Sequence, residues 1–176
     1  MTAERVLELL AALASLGVRA TVDGGWGVDA LLGRQTRHHE DLDLVVALGD
    51  VERICAALEQ SGFAVSENYL PVRFVLRNAA GEQLDFHTVR FDEQGGGVQP
   101  QPGGGSFRYP PEGFVRGVIG GNAVSCISAQ VQILCHLGYE PTPKDAQDVL
   151  ELCRAFRLPT PVAYEPFTPA IPKQRR

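Results

Sequence analysis

The chain has 176 residues, enough for one domain, and its net charge of −5 argues against a general nucleic-acid binder with a basic face. No apolar run approaches the roughly 18 residues of a membrane span, and the N-terminus lacks the basic start and apolar stretch of a signal peptide. We therefore expect a cytoplasmic protein that binds neither nucleic acid nor membranes.

Hydrophobic spacing and capping residues predict alternating helices and strands, which indicate an α+β fold. In chain order these are a helix over 3–16, a strand over 19–22, a short helix ending at Leu32, a strand over 42–47, a helix over 51–60 that Asp50 caps, and strands over 63–65, 72–77 and 83–89. A strand over 123–127 and two helices follow, the first capped by Ser128 and the second starting at a Thr142–Asp145 capping box.

Glycine is concentrated in residues 92–121, which hold 10 of the 19 glycines. We expect a long glycine-rich loop there, either a lid that closes over a substrate or a tolerated insertion. Residues 159–176 are rich in proline, with a short basic end at 173–176, and are expected to form an extended tail. The predicted organisation is one domain over 1–158 followed by this tail.

The pattern Asp41-Leu-Asp43 carries the sharpest chemical signal in the chain. Residues two apart on a strand point to the same face, so the two carboxylates repel one another unless a cation lies between them. Mg²⁺ prefers such oxygen ligands and keeps open positions for phosphate. A solvated strand start is the alternative, but the apolar run after the pair places it where a buried strand begins.

Two further features accompany this pair. Gly24 and Gly25 precede a short helix, where backbone N–H groups can approach a phosphate with no Cβ in the way. Asp85 lies on a later strand, where a third carboxylate would complete a cluster that binds metal and accepts the proton of an attacking hydroxyl. Taken alone, Asp85 is better explained as an ordinary polar residue of an exposed strand.

The order of these features resembles the nucleotidyltransferase superfamily of the DNA polymerase β type. Residues 23–45 more closely resemble the lincosamide nucleotidyltransferases and the aminoglycoside 2″-adenylyltransferases, and the resemblance extends over about residues 20–155. It implies a nucleotidyltransferase fold with a mixed β-sheet, helices packed on it and C-terminal helices. It also implies that Asp41, Asp43 and Asp85 hold Mg²⁺, as a two-metal site, and that Asp85 is the general base. Gly24 and Gly25 would lie at the triphosphate of an NTP, with ATP favoured.

Three cationic or imidazole side chains are candidates for nucleotide binding. Arg37 could reach a phosphate with its guanidinium fork, or form a local salt bridge. His39 could contact the nucleotide, or be solvated in a polar loop. Lys144 lies at a helix start, where a cation is unfavourable to the helix dipole, and this mismatch favours a triphosphate contact.

Three residues are candidates for acceptor binding: Arg73 and His87 on the predicted hairpin strands, and Tyr69 just before them. Tyr69 could stack on a sugar or base, although aromatic residues are more often part of a core. Arg73 lies in a segment that shares the resemblance, and His87 shares a strand face with Asp85, so we assign both to the acceptor side.

The resemblance implies an enzyme that moves a nucleoside monophosphate, with AMP favoured, from an NTP to a hydroxyl of a lincosamide or aminoglycoside, giving antibiotic resistance. Two alternatives remain: a non-catalytic nucleotide-binding or antitoxin-like module, and a nucleotidyltransferase acting on RNA or protein. The intact carboxylate trio argues against the first, and the acidic charge disfavours RNA. The short chain also suggests that a homodimer completes the acceptor cleft.

Overall fold

A mixed β-sheet forms the centre of this computed structural model, which describes residues 1–168. Its strands are β1 (Thr21–Asp23), β2 (Asp41–Ala47), β3 (Phe63–Tyr69), β4 (Arg73–Asn78), β5 (Gln83–Phe91), β6 (Gly97–Pro100), β7 (Ser106–Tyr109), β8 (Phe114–Ile119) and β9 (Asn122–Ile127). They lie in the order β3-β4-β5-β2-β1-β9-β8, and β6 and β7 extend from the end of β5. The neighbours β2 and β5 are parallel, as are β1 and β9, and the other pairs are antiparallel.

Helices pack on this sheet, so the predicted α+β fold is confirmed. They are α1 (Ala3–Ser15), α2 (Gly24–Leu32), α3 (Val51–Glu59), α4 (Ala129–Cys135) and α5 (Pro143–Phe156). Capping chemistry accounts for several of their ends. The side chain of Ser128 accepts a bond from Val131 N, Thr142 and Asp145 form the predicted capping box, and Gly33 ends α2 in the left-handed conformation.

The predicted cap at Asp50 is wrong. Its side chain makes no bond to the start of α3 and pairs instead with the guanidinium of Arg53, one turn along the helix. Asp50 itself has helical backbone angles and ends a short 3-10 turn, so its carboxylate is not placed where an N-cap residue with extended backbone would hold it.

The two faces of β2 differ in what they contact. Leu42 and Leu44 are fully buried and pack with α1 and α3 residues in the main core. Asp41 and Asp43 alternate with these leucines and lie on the opposite face. The alternation therefore presents both carboxylates on one side of the sheet while the same strand anchors the core on the other.

The glycine-rich region 92–121 is not the long irregular loop that the sequence suggested. It holds β6, β7, a 3-10 turn and all of β8, and β6 and β7 form an antiparallel hairpin. The sequence does not reveal these strands because glycine replaces the alternating side chains that identify a strand. Gly97 also serves packing, since a Cβ there would lie 3.3 Å from Val89 Cβ. At the hairpin tip, residues 103–105 all have positive φ, which glycine adopts without strain.

The chain after α5 departs from the predicted extended tail. Residues Val162–Phe167 form a 3-10 helix in which Tyr164 is fully buried and its hydroxyl donates to His136 O at 2.6 Å. An aromatic ring that reaches a hydrophobic cluster under α5 explains why this proline-rich segment folds back. The basic end of the tail, 173–176, lies outside the described residues. Across residues 1–168, no helix has the length and apolar character needed to cross a membrane.

Candidate active site

Three neighbouring strands bring three carboxylates into one row. Asp23 on β1 pairs in register with Asp43 on β2, and Asp43 pairs with Asp85 on β5. Asp41, two residues before Asp43, is opposite Gln83 and shares its face of the sheet. We call Asp23, Asp43 and Asp85 the carboxylate row. Sequence reasoning missed Asp23, although it lies directly before Gly24 and Gly25, which we call the glycine turn.

Burial and mutual repulsion act on these acids. The pKa of Asp85 is raised by burial and by the charges of Asp43 and Asp41, although His87 and Arg73 oppose the shift. The pKa of Asp41 is raised by burial first and then by Asp43. A cation placed among these groups would remove the repulsion and favour their ionised forms.

The donor set suits a hard divalent ion. Ligand atoms of Asp43, Asp85 and His87 all lie within 4.8 Å of one another, and Asp85 Oδ1 is buried without a hydrogen-bond partner. Asp41 lines the same cavity as Asp43 but lies outside this tight group. Carboxylate oxygens are the ligands that Mg²⁺ prefers, so the residues fit the metal that the sequence implied. Sequence reasoning missed His87 as a neighbour of the metal.

His87 has an unusual electrostatic environment. Although burial lowers the pKa of this imidazole, a hydrogen bond to Asp43 and the charges of Asp23, Asp43 and Asp85 together raise it to about 9. Its Nε2 lies 3.8 Å from Asp43 Oδ1. The positive charge of a protonated His87 would offset part of the repulsion among these acids.

Arg73 covers Asp85 in this structure. It lies on β4, and its guanidinium donates to Asp85 Oδ2 and to Glu67 Oε2, the latter at 2.6 Å. Asp85 is 7% exposed as a result and does not line the cavity, whereas Arg73 does. Arg73 Cζ lies over the Tyr69 ring, 5.3 Å from the ring centre. Tyr69 is exposed and lies outside the cavity. Tyr69 is therefore not part of the cavity wall, and its contact with an acceptor stays a prediction.

The glycine turn packs directly on the carboxylate row. Gly24 has φ +56°, and a Cβ there would collide with the Asp43 carboxylate, lying 2.7 Å from its Cγ. A Cβ on Gly25 would lie 2.7 Å from His39 Cε1 and 2.8 Å from Arg37 Nη2. The N–H of Gly24 donates to Asp23 Oδ1 at 2.6 Å. Both positions require glycine, and both line the cavity.

His39 supports this turn from behind instead of lining the cavity as the sequence suggested. It is 2% exposed, its Nε2 pairs with Asp29 Oδ2, and its ring lies 4.8 Å from the Trp26 ring. Asp29 Oδ1 also accepts from Thr36 N at 2.9 Å and Thr36 Oγ1 at 2.6 Å. Asp29 therefore fixes the segment that leads from α2 to the carboxylates of β2.

Arg37 and Lys144 both lie at the cavity. Arg37 forms a bidentate pair with Asp148 of α5, through Nε to Oδ1 at 3.2 Å and Nη2 to Oδ2 at 2.6 Å. This pair joins residues 111 positions apart, so it is a tertiary contact rather than the local salt bridge considered from the sequence. Lys144 Nζ is exposed and lies 3.9 Å from Glu40 Oε2.

The cavity has a volume of about 640 Å³, and the glycine-rich hairpin forms part of its wall. Gln99, Phe107 and Tyr109 of β6 and β7 line it together with His87. The end of α4 contributes His136, whose Nδ1 lies 2.7 Å from Gln132 O. Sequence reasoning did not place Gln99 or Tyr109 at the site, because strand alternation is hard to recognise among so many glycines.

The family model for aminoglycoside-2″-adenylyltransferase matches residues 5–152 of the chain, which include every residue of the carboxylate row and of the glycine turn. The chain belongs to this family. The predicted nucleotidyltransferase with a role in antibiotic resistance is thereby confirmed at the level of the family.

Curated relatives and a solved structure resemble the chain over most of its length. A lincosamide resistance protein of Staphylococcus haemolyticus is 29% identical over 152 residues, covering 86% of this chain and 94% of that protein. A 2″-aminoglycoside nucleotidyltransferase of Klebsiella pneumoniae is 31% identical over 132 residues, covering 75% and 71%. The crystal structure of a lincosamide antibiotic adenylyltransferase with lincomycin bound matches with a TM-score of 0.79 at 29% identity, covering 86% and 96%.

Proposed function

We propose that this enzyme transfers the AMP group of ATP to a hydroxyl of a lincosamide antibiotic in a Mg²⁺-dependent reaction. The observation that carries the proposal is the carboxylate row beside the glycine turn, with Asp23 and Asp43 lining the same cavity as Gly24 and Gly25. The similarity in length and fold to the lincosamide adenylyltransferase supports the choice of nucleotide and acceptor. A homodimer that completes the acceptor cleft stays a prediction, to be tested by analytical ultracentrifugation.

The carboxylates and the glycine turn are suited to the nucleotide and its metal. We assign Asp41, Asp43 and Asp85 as the Mg²⁺ ligands; the metal would neutralise the triphosphate and the leaving pyrophosphate. The N–H of Gly25 at the start of α2 would face a phosphate oxygen, and Gly24, whose N–H donates to Asp23, would let the phosphate approach with no Cβ in the way. Arg37 and Lys144 would add positive charge, and His39 would hold the turn in place.

Asp85 is our candidate general base. The acceptor oxygen forms a bond to the α-phosphorus, the bond from phosphorus to pyrophosphate breaks, and the hydroxyl proton passes to a carboxylate oxygen of Asp85. A Mg²⁺ ion beside Asp85 would favour the ionised carboxylate that accepts this proton. Because Arg73 now occupies that carboxylate, the proposal requires Arg73 to release it when the acceptor binds.

The character of the cavity wall favours a lincosamide over an aminoglycoside. Apolar and aromatic side chains line part of the cavity: Pro102 and Phe107 of the hairpin, Leu134 and Leu137 at the end of α4, and Val72 directly before β4. A lincosamide offers alkyl groups to such a wall. An aminoglycoside is the second candidate, because Glu40 and Asp145 at the cavity would attract a polycation. Tyr69, Arg73 and His87 remain our candidates for acceptor contact.

The decisive experiment combines purified protein, Mg²⁺, each NTP in turn and a panel that includes lincomycin and tobramycin. Pyrophosphate release is measured, and the product is identified by mass spectrometry. We expect release that depends on ATP, Mg²⁺ and lincomycin, with one AMP added to the antibiotic. NTP binding without pyrophosphate release would support a non-catalytic module, and transfer of label from NTP to added RNA or protein would support a macromolecular acceptor.

A further inference from the structure

The hairpin of β6 and β7 has two chemically different faces. Gln99 pairs in register with Phe107, and Gly97 pairs with Tyr109, so these residues share one face. Gln99, Phe107 and Tyr109 all line the cavity. The opposite face carries Arg108, which is largely exposed and donates to Asp92 Oδ2 at 3.1 Å. The strand alternation therefore directs one set of side chains at the active site and the other at solvent.

The cavity face is held rigid by hydrogen bonds. Tyr109 is 2% exposed, and its hydroxyl donates to Gln99 Oε1 at 3.0 Å. Gln99 Nε2 donates to Val72 O at 3.1 Å and lies 3.4 Å from His87 Nδ1. Both ends of the Gln99 amide are thus engaged, and the hairpin is connected to His87, the imidazole next to the metal ligands.

Phe107 is the part of this face that remains available to a ligand. Its ring meets the Tyr109 ring edge-on, with centroids 4.8 Å apart, and it is partly exposed at the cavity. One edge of the ring is therefore fixed by protein while the rest borders open space. This arrangement is expected of a stacking platform, because little side-chain entropy remains to be lost on binding.

The hairpin continues from the end of β5 and packs across the sheet, because Tyr109 clusters with Val45 of β2, Ile127 of β9 and Val131 of α4. Phe107 and His87 line the same cavity as Asp43 and Gly24. A molecule that contacts Phe107 and His87 together would therefore lie in the cavity that the carboxylates of β1 and β2 border.

We infer that the β6–β7 hairpin is the acceptor-recognition element and that Phe107 binds the sugar of the acceptor. Its ring stacks on the apolar C–H face of a sugar in a glycoside acceptor, a feature common to lincosamides and aminoglycosides, and so brings a sugar hydroxyl to the carboxylate row. This inference rests on the proposed function. It explains the glycine-rich stretch as a rigid wall of the site rather than a moving lid or a tolerated insertion.

The test compares Phe107→Ala and Phe107→Leu with Arg108→Ala, a neighbour on the solvent face. Calorimetry measures lincomycin affinity in the presence of Mg²⁺ and a non-hydrolysable ATP analogue, and analogue affinity separately. We expect both Phe107 variants to weaken lincomycin binding by at least about tenfold and to leave analogue binding within about twofold of wild type. Arg108→Ala should match wild type in both. The leucine variant keeps most of the apolar volume, so it separates loss of the ring from a folding defect.

The outcomes separate this inference from the proposed function. Wild-type protein that binds lincomycin, with Phe107 variants that bind it equally well, overturns the hairpin's role and leaves the transferase proposal standing. Variants that lose lincomycin and nucleotide affinity together indicate a structural role and also overturn it. If the wild type neither binds nor modifies any antibiotic of the panel, the proposed function fails, and the assignment of such an acceptor to Phe107 fails with it.

Discussion

Replacing Asp29 by alanine removes a carboxylate that is 2% exposed and accepts bonds from Thr36 N, Thr36 Oγ1 and His39 Nε2. Without that acceptor the buried His39 Nε2 and the two donors of the partly buried Thr36 lose their partner, and at about 1–3 kcal/mol for each buried unsatisfied group the total cost is about 3–5 kcal/mol. For a chain of this length each kcal/mol corresponds to about 2–4 °C in Tm, so the variant should melt about 6–20 °C below wild type. Urea titration followed by circular dichroism measures the free energy of unfolding directly.

Two further variants test the same reasoning. Asp29→Asn keeps an oxygen that can accept from Thr36, so we expect a smaller loss than in the alanine variant. Glu8→Ala is the control, because Glu8 is an exposed partner of Arg5 one helical turn away and should cost no more than about 0.5 kcal/mol. A loss in Asp29→Ala that does not exceed the Glu8→Ala loss would refute the view that this pair holds the segment before β2.

Three substitutions probe the site itself. Gly25→Ala should weaken binding of an ATP analogue by at least about tenfold in calorimetry, because its Cβ meets His39, which Asp29 holds in place. Asp43→Asn should abolish Mg²⁺-dependent turnover and the rise in Tm that we expect Mg²⁺ to give the wild type, since it removes the negative charge at the centre of the row. Asp85→Asn should lower kcat by about 10²–10⁴ in a pyrophosphate-release assay if it is the base.

The chain provides controls for these variants. Gly49→Ala should behave as wild type, because Gly49 has no positive φ and nothing within 4 Å of an added Cβ. Glu52→Gln removes a charge on the exposed side of α3 and should leave the Mg²⁺ titration unchanged. Unaltered nucleotide affinity in Gly25→Ala would contradict the packing argument, a normal Mg²⁺ titration in Asp43→Asn would remove it from the ligand set, and wild-type kcat in Asp85→Asn would exclude it as the base.

Local rules predicted the elements that depend on local chemistry. The capping box at Thr142 fixed the start of α5, and Gly33 marked the end of α2, because both signals reside in backbone geometry at the helix ends. The alternation in Asp41–Ala47 indicated β2 and the face of its two carboxylates. Where glycine replaced the alternating side chains, as in β6 and β7, the periodic signal was lost and the sequence indicated only a loop.

Apart from the family resemblance, which brought Asp85 to Asp41 and Asp43, the sequence did not specify contacts between distant segments. The parallel pairing of β2 with β5 aligns Asp43 with Asp85 across 42 positions of chain, and nothing local specifies that register. Arg37 pairs with Asp148, and Arg73 pairs with Asp85. Nothing local in the sequence specifies either ion pair. Each residue of these pairs was recognised as polar, but its partner depended on the tertiary fold.

Because side chains alternate along β2, the position of its two aspartates and the burial of its two leucines depend on the same strand register. A shift of one residue in the pairing of this strand would turn Asp41 and Asp43 into the core and expose Leu42 and Leu44, which are fully buried. Such a protein would bury two carboxylates without partners and would not persist. Descendants of this sequence can therefore lose catalysis by substituting an aspartate, but not by gradual drift of strand alignment. Any descendant that keeps these residues and remains folded inherits the alignment of its acids unchanged.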